Sequence, residues 1–92
     1  MNEIKHEEKI FYIGDTKEDA LAELTYNEVG PTQMIIDHTG VREELRGQGI
    51  AGKLVRHAVE YAREHNKKII PLCPFTKDYI VANPELQDVL KN

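Results

Sequence analysis

The 92-residue sequence predicts an α+β domain. Strand-like runs at residues 9–13, 20–29 and 33–41 are separated by turn signals. An amphipathic helical repeat follows, from Gly49 to Asn66, and then a further strand-like run, Ile69-Ile70-Pro71-Leu72-Cys73. Strands joined by short connections form an antiparallel meander. A strand–helix–strand unit instead crosses over right-handed and pairs its strands in parallel. The expected architecture is therefore a three-strand antiparallel meander, a crossover helix, a parallel fourth strand and C-terminal helices, in one domain over residues 1–92.

Each element has its own justification. Lys9-Ile10-Phe11-Tyr12-Ile13 is apolar and aromatic and closes on a Gly14-Asp15 turn signal. In residues 20–29, Ala20, Ala22, Leu24 and Tyr26 alternate with Leu21, Glu23, Thr25 and Asn27, the pattern of a half-buried strand ended by Gly30-Pro31. The third run, Gln33 to Val41, places His38 at the spacing of Met34 and Ile36, and Gly40 near its end signals a bulge or a close backbone approach. In the helix, Ala51, Leu54, Val55, Ala58, Val59 and Ala62 form an apolar stripe. Arg56, Glu60, Arg63, Glu64 and Lys67 cover the opposite side, and Lys67-Lys68 complement the negative pole. Pro71 argues for a strand paired on one side only at that point. Helical character resumes at Cys73-Pro74, with Phe75, Tyr79, Ile80 and Ala82 as the apolar side. Asn83-Pro84-Glu85 starts a last short helix through Leu90.

Composition narrows the function. Hydrophobic residues make up 40% and charged residues 30%, as in an ordinary folded protein. A net charge of −4 gives no electrostatic case for nucleic acid. No apolar run approaches the ~20 residues needed to span a bilayer. The charged N-terminal stretch Met1 to Lys9 lacks the apolar segment of a signal peptide, and Cys73 is the single cysteine. Both point to the cytosol. The four histidines are scattered and give no metal-ligand spacing.

The chemistry concentrates at Leu45-Arg46-Gly47-Gln48-Gly49-Ile50-Ala51-Gly52, between a strand and a helix. Glycines there allow a sharp turn and expose backbone N–H groups. The helix start adds unpaired donors and the positive end of its dipole, and Arg46 adds a guanidinium fork suited to phosphate oxygens. The expected ligand carries phosphate.

The Arg46–Ala51 spacing resembles the coenzyme A pyrophosphate loop of the GNAT N-acetyltransferase superfamily. The likeness covers about residues 9–82 and is nearer to a group of very short members. In that group a His-Thr pair, a Leu-Arg-Gly-x-Gly loop and a Pro-Leu-Cys-Pro-Phe segment recur. Here they stand as His38-Thr39, Leu45–Gly49 and Pro71-Leu72-Cys73-Pro74-Phe75. The resemblance implies acetyl-CoA as co-substrate and a small-molecule or protein amine as acceptor. It implies cofactor contacts at Thr39, Gly40 and Val41, at Arg46, Gly47, Gln48, Gly49, Ile50, Ala51 and Gly52, and at Cys73, Pro74, Phe75 and Tyr79. It gives Cys73 a role in carrying the acyl group or bonding to coenzyme A, and Tyr79 that of a general acid. A thiol at a helix N-terminus has its thiolate favoured, and His38 is a base candidate. The alternatives are a non-catalytic coenzyme A binding or sensing module, and a thiol protein whose Cys73 forms a mixed disulfide with coenzyme A. Oligomeric state is not legible. The Glu43-Glu44 pair is expected to face solvent, as are His6, His57 and His65.

Overall fold

The computed structural model describes residues 3–91; Met1, Asn2 and Asn92 lie outside them. Five strands form one sheet: β1 Lys5–Glu7, β2 Ile10–Ile13, β3 Ala22–Val29, β4 Gln33–Val41 and β5 Lys68–Pro71. Helix α1 spans Ile50–Glu64 and α2 spans Pro74–Ala82. Strand order follows chain order; β1 to β4 pair antiparallel, and β5 pairs parallel with β4 after the α1 crossover. The α+β class, the meander and the parallel strand after the helix stand as expected.

Strand β1 extends the meander from three antiparallel strands to four. Lys5-His6-Glu7 has no apolar alternation, so periodicity could not mark it. What holds it is backbone pairing with Ile10–Tyr12 and the His6 ring, which stacks on Phe11 at 4.1 Å between centroids. The tail after α2 is a 3₁₀ helix, Pro84–Val89. Beyond it Leu90 bridges to Ile69, and the Lys91 N–H donates to the Ile69 carbonyl at 2.9 Å.

The core lies between one sheet face and the helices. Leu24, Met34, Ile36 and Ile69 meet Leu54, Val55, Ala58, Val59 and Ala62 of α1 and Ile80 of α2, all fully buried. Asn66 takes a left-handed conformation at φ 55°, and the Lys67 N–H reaches back to the Ala62 carbonyl at 2.8 Å, closing the helix end.

The pairing of β3 with β4 slips once, between Thr25 and Tyr26. Tyr26 opposes Ile36 and Thr25 opposes His38, so Asp37 is the extra residue of a bulge. A bulge inverts the alternation that follows. Thr39 and Val41 therefore oppose the buried Leu24 and Ala22, on the helix side. His38 and Gly40 oppose Thr25 and Glu23, on the outer side. The face-sharing of His38 with Met34 and Ile36 read from the sequence is thus corrected: the bulge turns it away.

Lys67 also departs from expectation, being 8% exposed rather than on the solvent side of the helix end. Its ammonium lies 2.7 Å from Glu28 Oε1 and donates to the Pro31 carbonyl at 3.2 Å. The Tyr61 hydroxyl donates to Glu28 Oε2 at 3.0 Å. These bonds, Lys67 first, hold the Glu28 carboxyl below its ordinary value of 4.5. A carboxylate with a depressed folded pKa contributes stability in full above the unfolded value and loses it as pH falls through the folded one. Thermal unfolding of Glu28→Gln should show a lower midpoint than the parent at pH 7. The two midpoints should converge as pH is lowered below about 4.5. An equal deficit at pH 7 and pH 3 would contradict the assignment.

Candidate functional site

The parting of β4 and β5 creates the site. Their ladder ends with Ile36 opposite Pro71, and Pro71 has no N–H to extend it. The Ile36 carbonyl accepts from both Leu72 N–H at 3.0 Å and Cys73 N–H at 3.1 Å. Beyond this point β4 runs on through Val41 beside β3 alone, while the other chain turns into α2 with Cys73 as N-cap and Pro74 in the first turn. A cavity of about 600 Å³ occupies the gap, lined from β4 by Thr39, Gly40 and Val41 and from α2 by Phe75 and Tyr79.

Its other wall is the glycine loop. After a 3₁₀ turn at Glu43–Leu45, whose two carboxylates are exposed, the chain passes through Arg46 to Gly49 and enters α1 at Ile50. Gly47 at φ 84° and Gly49 at φ 73° are both left-handed. A Cβ at either would meet nothing within 4 Å, so conformation rather than space demands glycine. The helical ladder begins with Lys53 N–H on the Gly49 carbonyl at 3.1 Å. The N–H groups before it have no partner within the helix. Ile50, Ala51 and Gly52 line the cavity with Leu45, Arg46, Gly47 and Gly49. The Arg46 Nε donates to the Val41 carbonyl at 3.2 Å, which ties the guanidinium to the end of β4 beside the cavity. The arrangement suits a phosphate-bearing ligand.

Gly52 serves a different purpose from the loop glycines. It is buried within α1, and a Cβ there would fall 2.7–2.8 Å from ring atoms and the hydroxyl of Tyr79. The missing side chain is the seat of that ring. Arg56 Nε donates to the Tyr79 hydroxyl at 3.0 Å, and its Nη2 donates to both Asn83 Oδ1 at 3.3 Å and Glu85 Oε2 at 2.9 Å. The sequence placed Arg56 on the solvent face; it instead ties α1 to the C-terminal segment. Because Tyr79 accepts from Arg56, its own proton is free to point into the cavity.

Cys73 is 7% exposed and sits behind the cavity wall, next to Thr39 and Thr76. Burial pushes its thiol up. The Thr76 and Phe75 N–H groups of the first helical turn and the hydroxyls of Thr39 and Thr76 outweigh that and hold it below its ordinary value. Thr76 is fully buried, with its Oγ1 3.1 Å from Thr39 Oγ1. The expected apolar side of α2 is Phe75, Tyr79, Ile80 and Ala82. In the fold Thr76 and Ile80 are the buried pair, while Phe75 and Ala82 are exposed. A threonine four residues before an isoleucine was the available signal.

Gln48 and Pro74 are exposed and stand outside the cavity lining. His38 lies on the far sheet face with its Nε2 3.2 Å from Glu23 Oε2. A second cavity, between the β1–β2 turn, β3 and the C-terminal half of α1, is lined by His6, Glu28, Tyr26 and Tyr61. Those polar groups already bond one another or Lys67. Among the described residues no group of three or more His, Cys, Asp or Glu is placed to hold a metal, and no helix is long and apolar enough to cross a membrane.

Residues 10–89 match the family model described as GCN5-related N-acetyl-transferase. The chain belongs to that acetyltransferase family. A GCN5-like protein from Staphylococcus aureus, solved by NMR, is 48% identical, with a TM-score of 0.83 over 99% of this chain and 89% of that one. A GNAT family acetyltransferase from Elizabethkingia anophelis with acetyl-CoA bound shares the fold. Its TM-score is 0.60 at 14% identity, over 82% of this chain and 51% of that one. Protein NATD1 of Xenopus tropicalis is 33% identical over 63 residues, which cover 68% of this chain and 58% of that protein. The human NATD1 shows the same identity over 56% of its length, so the alignment spans little more than half of these relatives.

The two kinds of glycine predict different failures. Gly49→Ala forces an alanine into left-handed backbone and should cost about 1–2 kcal/mol in chemical denaturation, with Tyr79 undisturbed. Gly52→Ala keeps good helix geometry but expels the Tyr79 ring. Its signature should be a changed Tyr79 ring resonance and a rise in Arg56 side-chain mobility by NMR. Unchanged Tyr79 shifts in Gly52→Ala would refute the packing role.

Proposed function

We propose that this protein binds acetyl-CoA in the β4–α1–α2 cavity and transfers the acetyl group to an amine. The observation that carries the reading is the continuity of one cavity from a donor-rich helix start to an unpaired strand edge backed by a thiol. The pyrophosphate belongs on the Arg46–Gly52 segment, where N–H groups, helix dipole and Arg46 coincide. The pantetheine amides belong along Thr39–Val41, whose backbone groups on the β5 side have no strand to bond.

In the covalent route the Cys73 thiolate attacks the acetyl carbonyl carbon. The carbon–sulfur bond of the thioester breaks, and the coenzyme A sulfur leaves with the electron pair. Tyr79 supplies its proton and is reprotonated from water. The amine nitrogen then attacks acetyl-Cys73, the cysteine departs as thiolate, and the nitrogen loses a proton to water. His38 holds no step in this route, since the bulge places it beside Glu23 on the far face. One observation favours a second reading. Cys73 lies behind the lining rather than in it, as befits direct transfer or a coenzyme A binding module. A thiol that must stay reduced fits the cytosol.

Incubation with acetyl-CoA followed by intact-mass measurement tests the covalent route. An acetyl adduct that hydroxylamine removes and that Cys73→Ser lacks is the expected result. A coenzyme A disulfide adduct would favour the sensing module, and no adduct with retained binding would favour direct transfer. Alkylation of the parent by iodoacetamide should follow a thiol pKa below ~8.5 and slow when coenzyme A is bound. An ordinary pKa untouched by coenzyme A would remove Cys73 from the chemistry.

A further inference from the structure

The four tyrosines of the chain divide by what their hydroxyls meet. Tyr12 donates to Glu7 Oε2 and Tyr61 to Glu28 Oε2, and the Tyr26 hydroxyl lies 2.6 Å from His6 Nε2. Each of these three faces a group able to accept its proton. Tyr79 is the exception. Its hydroxyl accepts from Arg56 Nε, and among the described residues no group accepts from it in return. It is also the one tyrosine that lines the β4–α1–α2 cavity.

Tyr79 is held at both ends. Its ring stacks on Phe75 at 5.8 Å between centroids and is seated over Gly52. Its carbonyl accepts from Asn83 Nδ2 at 2.7 Å, and Asn83 Oδ1 accepts in turn from Arg56 Nη2. Arg56 therefore reaches the Tyr79 hydroxyl directly and its carbonyl through one amide, while Glu85 balances the guanidinium charge. Tying α1 to the tail does not call for this arrangement, since a solvent-exposed ion pair contributes little. Arg56 itself stands outside the cavity lining.

We propose that Arg56 is a positioning residue, which holds the Tyr79 hydroxyl toward the bound thioester and stabilises the phenolate left when its proton passes to the leaving coenzyme A sulfur. A phenol oxygen carries one proton and two lone pairs. Arg56 occupies a lone pair, so the proton is left for the open side. In the step the Tyr79 O–H bond breaks, an S–H bond forms on coenzyme A, and negative charge appears on the phenol oxygen. The bond from Arg56 then joins two charged groups instead of one, and it strengthens. An interaction stronger after the proton has moved than before it lowers the barrier rather than tightening binding. The guanidinium keeps its own protons throughout, and water restores that of Tyr79.

The inference rests on the covalent route proposed above, and the two can fail separately. The experiment follows coenzyme A release in a single turnover, with protein in excess over acetyl-CoA. Arg56→Met should slow release roughly tenfold, while its coenzyme A affinity by calorimetry stays near the parent's. Arg56→Lys, which keeps a cationic donor, should recover most of the loss. Added to Tyr79→Phe, Arg56→Met should cost nothing further, because the group it acts through is already gone. With p-nitrothiophenyl acetate as donor, whose thiolate leaves without a proton, the deficit of Arg56→Met should shrink. Should Arg56→Met fail to fold, Arg56→Gln removes the charge, keeps a donor and should show the same dependence on the donor. Equal deficits with both donors, or a further loss on top of Tyr79→Phe, would leave Arg56 a purely structural tie and overturn the inference. A parent rate that Arg56→Met leaves unchanged overturns it alone. A parent that releases no coenzyme A sinks the covalent route and this inference together.

Discussion

The site depends on one carbonyl. Ile36 is the last β4 residue paired with β5, and its oxygen accepts from two successive N–H groups, Leu72 and Cys73. A single ladder bond would let β5 continue; two donors converging on one acceptor bend the chain off the sheet. Pro71 just before them offers no donor, and Pro74 just after fixes φ for a helical first turn. The bulge at Asp37 acts from the other side of the same junction, inverting β4 so that Thr39 and Val41 face the gap. Cavity, strand edge and N-cap thiol all follow from where those two strands part.

Around that junction the glycines divide by physical cause. Gly47 and Gly49 are required by backbone sign, and their surroundings are open. Gly52 has ordinary helical backbone and is required by the Tyr79 ring pressed against it. Arg56 then donates to that tyrosine's hydroxyl and leaves its own proton free. The glycine-loop end of the cavity and its tyrosine side are therefore joined through the first turns of α1.

Much of this was readable in advance. The apolar stripe of α1 is buried at every position but Ala51, and the Cys73-Pro74 and Asn66 signals mark real helix ends. The loop at Arg46–Gly52 stood out because anion binding needs glycine and a helix start in sequence order. What stayed hidden was set by tertiary contact. β1 is held by pairing and a stacked histidine rather than by its own hydrophobicity. The face of His38 depended on a bulge whose extra residue, Asp37, carries no turn signature, although Gly40 hinted at irregularity nearby. Lys67 and Thr76 are polar residue types whose burial depends on partners 39 and 37 positions away; Lys67 and Glu28, and Thr76 and Thr39, meet only once the sheet has formed.

Because strand order follows chain order, the sheet assembles largely from neighbours in sequence. The β1–β2 and β3–β4 hairpins close over a few residues at little entropic cost, which favours rapid formation. The one distant closure brings β5 to β4 across the whole of α1. The thiol, the Thr39–Thr76 pair and the cavity all lie on the seam made by that closure. Loosening the seam would unmake the cavity while leaving the meander paired, so the candidate site sits on the one strand pairing that chain neighbours do not close.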